Sequence, residues 1–152
     1  MAISLYTVLV LAVFAASLDN CSALTDEKKA EIKEKLKVHI NECGADYGIT
    51  PDVLKEFKEQ KKQPDDTNKC FFACMFKKIG LMDSQGLFSE EVAIQKLSQY
   101  AEESKLEKAK AAAKACTSVN QEAVSDGEAG CDRAKLLFTC IMEQKELYGF
   151  AV

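Results

Sequence analysis

The chain has 152 residues, 20 basic and 24 acidic side chains, a formal net charge of −4 and seven cysteines. A mildly acidic balance weighs against nucleic acid as a partner, because phosphate neutralisation needs a basic surface. The length is that of one domain with a real hydrophobic core.

Met1 to Ala23 contains no Lys or Arg, and Leu5 to Ala16 is an almost unbroken apolar run. That run is short for a membrane span, which needs about 20 apolar residues. Cys21-Ser22-Ala23 supplies the small residues that precede a cleavage site. Residues 1–23 therefore predict an export signal cut after Ala23, with a cut after Ser17 as the alternative and a signal-anchor helix as the competing reading. Cleavage after Ala23 removes Cys21 and leaves six cysteines in a secreted, extracellular domain of residues 24–152. That domain carries 20 basic against 23 acidic residues, a net charge of −3, since Asp19 leaves with the signal.

Ala, Lys, Glu and Leu dominate the remainder, and no alternating β-branched runs are present, so an all-α domain is predicted. A first helix starts at the capping Thr25, and Ile32, Leu36, Ile40, Cys43 and Tyr47 form its apolar stripe. Gly44 or Gly48 ends it. Thr50-Pro51 opens a short second helix, with Val53, Leu54 and Phe57 on its apolar side. After a polar loop around Pro64, a third helix runs from about Thr67 to Lys78 and stops at Gly80. It is apolar nearly all round and hence central. Leu81 to Phe88 forms a loop, and Ser89 opens a fourth helix. Ser104 restarts the chain as a fifth helix reaching Cys116, or else one helix runs unbroken from Ser89. Thr117 to Gly130 is a loop, and a sixth helix spans about Cys131 to Leu147, followed by an apolar tail.

The six cysteines are spaced C-x26-C-x3-C-x41-C-x14-C-x8-C from Cys43 to Cys140. An even count in a small exported chain reads as three disulfides. Cys70 and Cys74 share one helical face, while Cys131 and Cys140 lie about 13 Å apart along a helix, too far to bridge. Excluding both neighbour pairs leaves ten of the fifteen pairings, with the staples joining one helix to another.

This pattern resembles the insect odorant-binding proteins of the pheromone-binding and general-odorant-binding family. The x3 and x8 gaps are the diagnostic ones, and the resemblance covers the whole of residues 24–152. It implies a six-helix domain with three interlocked disulfides, Cys43–Cys74, Cys70–Cys131 and Cys116–Cys140, around a hydrophobic cavity. It further implies a carrier of small hydrophobic ligands such as odorants, pheromones or fatty acids. Positions beside the second, third and sixth cysteines then line the pocket: Phe72, Phe76, Leu137 and Ile141. Each helix contributes an i,i+4 pair to that wall. Leu36, Phe57, Leu81, Phe88, Leu97 and Ala113 are further candidate walls, with Tyr148 and Phe150 as a C-terminal lid. A solid core enclosing no cavity is the competing reading of the same residues.

No enzyme is predicted. The single histidine, His39, lies between Val38 and Ile40 with no nucleophile motif elsewhere. The acidic pairs Asp65-Asp66, Glu90-Glu91 and Glu102-Glu103 sit in loops or at helix starts. No cofactor is implied, and C-x3-C lacks a second pair to complete a zinc site. Thr139, Tyr47 and Tyr148 are candidate polar handles for a ligand. A membrane receptor is a further partner, and the expected state is a monomer or weak homodimer. The rival function is a hormone-like or signalling protein that docks a receptor with the same scaffold.

Overall fold

A computed structural model describes residues 26–148. The export signal with its cleavage sites, the Thr25 cap and the tail residue Phe150 lie outside the described residues.

The first helix, α1 (Asp26–Tyr47), directs Leu36, Ile40 and Cys43 to the core. Tyr47, expected on the same stripe, is 42% exposed. The reason is the turn after it: Ile49 N donates to Gly44 O at 3.0 Å, and Ile49 packs on the core instead. A Cβ at Gly44 would lie 2.2 Å from Ile49 O, so the turn requires glycine there. Helix α2 (Pro51–Glu59) begins where the Thr50 hydroxyl accepts from Val53 N at 3.3 Å.

Helix α3 (Lys69–Lys78) starts two residues later than the sequence suggests. Asp65 Oδ1 accepts from Thr67 N at 2.8 Å and Asn68 Oδ1 from Asp65 N at 2.8 Å, a side-chain turn that competes with helix formation. Phe71, Phe72, Ala73, Met75 and Phe76 of α3 are buried, consistent with its central place. The loop that follows folds back on itself through an antiparallel bridge between Met82 and Phe88.

Ser89 caps α4 (Glu90–Tyr100) by accepting from Val92 N at 3.3 Å. Ala101 and Glu102 are extended, and α5 (Glu103–Ala115) then packs back on α4. Two helices therefore form, as the restart near Ser104 predicts, with the second beginning one residue earlier at Glu103; the alternative of one unbroken helix from Ser89 does not hold. Two single 3-10 turns, Cys116–Asn120 and Gly127–Ala129, punctuate the loop before α6 (Cys131–Tyr148). Asp126 Oδ2 opens α6 by accepting from Cys131 N at 2.6 Å and Asp132 N at 3.1 Å.

Among the described residues these six helices carry the fold. Helix α3 lies between α1 and α6, and α5 joins the α4–α5 hairpin to α6. The disulfides follow the same contacts: Cys43–Cys74 joins α1 to α3, Cys70–Cys131 joins α3 to α6, and Cys116–Cys140 joins the end of α5 to α6. Their Cα separations are 5.9, 4.4 and 5.8 Å. These are the pairs that the family resemblance implies.

Candidate ligand-binding site

Because α3 is held on two sides by disulfides, its apolar residues face inward on both. Phe72 and Phe76 are buried in one cluster with Phe88, Ala113 and Leu137. Leu36, Phe57, Leu81 and Leu97 are half-buried and pack against that cluster. Tyr148 is half-buried at the end of α6. Ile141 behaves differently from its i,i+4 partner: Leu137 is 0% exposed and Ile141 37%. Helix α6 turns Ile141 toward the surface, and Phe138 occupies the inner position on its other side.

Phe138 is the residue that sequence reasoning missed. Its ring lies 4.9 Å from that of Phe72 and 6.0 Å from that of Phe57, while Phe57 and Phe72 are 5.3 Å apart. Phe71 extends the group, 5.3 Å from Phe72. These tilted and edge-on contacts fall in the favourable range for aromatic pairs. The signal was present in the spacing, since Phe138 lies two turns after Cys131, the residue that ties α6 to α3. The rings of Phe57, Phe72 and Phe138, from α2, α3 and α6, pack on one another and make an apolar, polarisable environment of the kind that suits an aliphatic or aromatic ligand.

Polar groups near this cluster are largely engaged. Thr139 Oγ1 lies 3.1 Å from Lys135 O and 3.3 Å from Gln63 Oε1. The buried Arg133 was not singled out by its sequence context. Its guanidinium donates to Val119 O and to Glu122 O, the latter at 3.4 Å, and so ties the 3-10 turn to α6. Beside Cys70–Cys131, Lys69 Nζ lies 2.6 Å from Asp132 Oδ1 and 3.2 Å from Asp66 Oδ1. Asp132 also accepts from Ser125 N and Oγ. The hydrogen bond from Lys69, with those from Ser125, holds the Asp132 carboxyl well below the usual carboxylate range.

His39 Nδ1 is 3.9 Å from Glu42 Oε2, and Glu42 binds Lys78 at 2.9 Å, an arrangement with no nucleophile. Among the described residues no group of His, Cys, Asp and Glu is placed to hold a metal ion. A concavity at the amino end of α4, lined by Ser89, Glu90, Glu91 and Ile94, is open and edged by carboxylates. Its chemistry does not suit an apolar ligand, which favours the phenylalanine cluster.

Residues 25–144 match the model of the PBP/GOBP family. The chain is 31% identical over 128 residues to general odorant-binding protein 28a of Drosophila melanogaster, covering 82% of this chain and 83% of that relative. It is 31% identical over 109 residues to general odorant-binding protein 19d of the same species, covering 72% of this chain and 71% of the relative. The structure of odorant-binding protein 28a from Drosophila melanogaster superposes with a TM-score of 0.61 at 29% identity, over 83% of this chain and 100% of that one. The fatty acid binding protein OBP56a from the oral disk of the blowfly Phormia regina superposes with a TM-score of 0.58 at 31% identity, over 83% of this chain and 98% of that one. The cysteine spacing, the helix order and these likenesses agree, and the chain belongs to the PBP/GOBP family.

Proposed function

We propose that this chain is a secreted carrier of small hydrophobic molecules, of the odorant, pheromone or fatty-acid type, and that it performs no covalent chemistry. The observation that carries this reading is the junction of Phe57, Phe72 and Phe138, three rings from three helices meeting within about 6 Å of one another. The ligand site comprises these rings with Phe76, Phe88, Leu137 and the half-buried residues around them. A relative named as a fatty acid binding protein supports an aliphatic chain among the ligands.

The energetics are compatible with carriage. Burial of an aliphatic chain contributes about 0.8 kcal/mol per methylene. Micromolar binding, about 8 kcal/mol, then needs more than about ten buried methylenes once association costs are set against it. Such affinity suits uptake and release.

Export completes the reading. Cleavage after Ala23 removes Cys21 and leaves six cysteines for three bonds, and none of the described helices is long and apolar enough to cross a membrane. The carrier acts as a monomer or weak homodimer and delivers its ligand to a membrane receptor. Displacement of a bound fluorescent probe by alcohols, esters and fatty acids tests the reading. Competition at micromolar concentrations is the expected result. Failure of all three classes against a correctly oxidised, folded chain overturns it and leaves the hormone-like rival. The mass of the exported protein checks the cleavage site.

A further inference from the structure

Residues 44–69 form a strap pinned at both ends. Cys43 is bonded to Cys74 of α3, and Cys70 to Cys131 of α6, so neither root can leave the core. Near the second root Pro64 is buried and Gln63 Oε1 lies 3.3 Å from Thr139 Oγ1.

Between these pins the strap is loosely seated. Helix α2 has no buried residue, and Val53 is 41% exposed. It is absent from the closely packed helix pairs, which are α1 with α3, α3 with α6, α4 with α5 and α5 with α6. Among the described residues, the polar contacts of residues 50–62 close within that segment: Thr50 with Val53, Glu56 with Gln60 and Lys62, and Lys55 with Glu59. Only apolar side chains seat it, Leu54 and Phe57. Left-handed residues flank the helix on both sides, Gly48 at φ 66° and Lys61 at φ 49°.

The loops that cover the other side of the core are clamped by polar or backbone contacts that cross between elements. Asn120 grips the Phe88 backbone, and Lys77 Nζ donates to Glu128 O at 2.7 Å and Ala129 O at 3.0 Å. A Cβ at Gly86 would lie 3.0 Å from Gly130 Cα, a contact that leaves no space between the two loops. Local opening draws on the least stabilised segment. Among the described residues α5 also shows no such clamp, but it buries Ala109 and Ala113 and packs on α4 and α6, whereas α2 lacks both a clamp and a buried residue.

We infer that α2 is the gate of the ligand site and Phe57 its latch. The helix swings about Gly48 and Lys61, Phe57 withdraws from Phe72 and Phe138, and the apolar chain of the ligand enters where the ring lay. The disulfides limit the excursion, so the walls on α3 and α6 keep their shape while the cover moves. This assignment rests on the carrier reading above, which supplies the ligand.

The test measures association and dissociation rate constants of N-phenyl-1-naphthylamine by stopped flow for the oxidised wild type, Phe57→Ala and Val53→Ala, with hydrogen exchange of the ligand-free wild type. In Phe57→Ala both rate constants rise by about tenfold, as expected for the loss of two aromatic contacts, and the dissociation constant changes less. Val53→Ala matches wild type. The α2 amides exchange faster than those of α3 and α6, and slow when probe binds. Should Phe57→Ala not fold, Phe57→Leu keeps an apolar seat without the ring and gives the same comparison. Probe that binds with unchanged rates in the Phe57 variant, or α2 amides as protected as those of α3, overturns the gate alone. A wild type that binds no probe removes the carrier reading and the gate with it.

Discussion

Asn120 grips the backbone of Phe88 twice: its Oδ1 accepts from Phe88 N at 2.8 Å, and its Nδ2 donates to Phe88 O at 2.9 Å. One amide side chain thereby takes the place of a neighbouring strand and holds the Phe88 ring in the apolar cluster. Asn120→Ala leaves a donor and an acceptor of Phe88 without their partner, at an expected cost of about 1–3 kcal/mol. Urea unfolding with an unchanged m-value checks this. A loss below about 0.5 kcal/mol would mean that water replaces the amide without penalty.

Leu137 and Ile141 share one helix and one spacing yet sit in different surroundings, at 0% and 37% exposed. Leu137→Ala is expected to cost about 2–5 kcal/mol through lost burial and a residual cavity. Ile141→Ala costs about 1 kcal/mol or less, because much of its side chain is already in water. Parallel denaturant curves decide; equal losses contradict the placement of α6.

The Asp132 carboxyl, held below its ordinary value of 3.8 chiefly by Lys69, makes stability depend on acid. A carboxyl whose folded value is lowered contributes fully where the unfolded chain is also ionised, above about pH 4. The contribution disappears as pH falls from there toward the lowered folded value. Asp132→Asn should lower the urea midpoint near neutral pH and flatten its decline between about pH 4 and pH 2. Curves for variant and wild type that stay parallel through this range would assign the acid sensitivity to other carboxyls, such as Glu42 beside Lys78.

Gly86 and Gly127 both have positive φ, 74° and 53°, but differ in their surroundings. A Cβ on Gly86 meets Gly130 Cα at 3.0 Å and Gly127 O at 3.1 Å, whereas one on Gly127 meets nothing within 4 Å. Gly127→Ala carries only the backbone penalty, of order 1 kcal/mol. Gly86→Ala adds the separation of two loops and should be the more damaging by at least about 1 kcal/mol. Thermal unfolding ranks the two, and the reverse order would place the loop contact elsewhere.

Local chemistry made several parts of this fold legible in the chain. Thr50-Pro51 and Ser89 are helix starts because a hydroxyl and a fixed φ act over three or four residues. Gly80 stops α3 for an equally local reason. The central place of α3 follows from an apolar surface that no single partner could cover. Spacing excluded two cysteine pairs, and the resemblance then implied one pairing among ten.

The choice between a broken and an unbroken α4–α5 segment, the exposure of Ile141 and the entry of Phe138 into the ring cluster were decided by tertiary structure. At Ala101 nothing in the residue itself stops a helix; the chain turns there so that α5 can pack on both α4 and α6. On α6 the choice between Ile141 and Phe138 depends on how the helix is rotated, and Cys131–Cys70 and Cys140–Cys116 set that rotation from two other elements. By itself the sequence determined the helices, most of their caps and which two cysteine pairs could not form, because those depend on neighbours along the chain. Which apolar residues face one another depended on contacts made across it, where spacing alone assigns no partner.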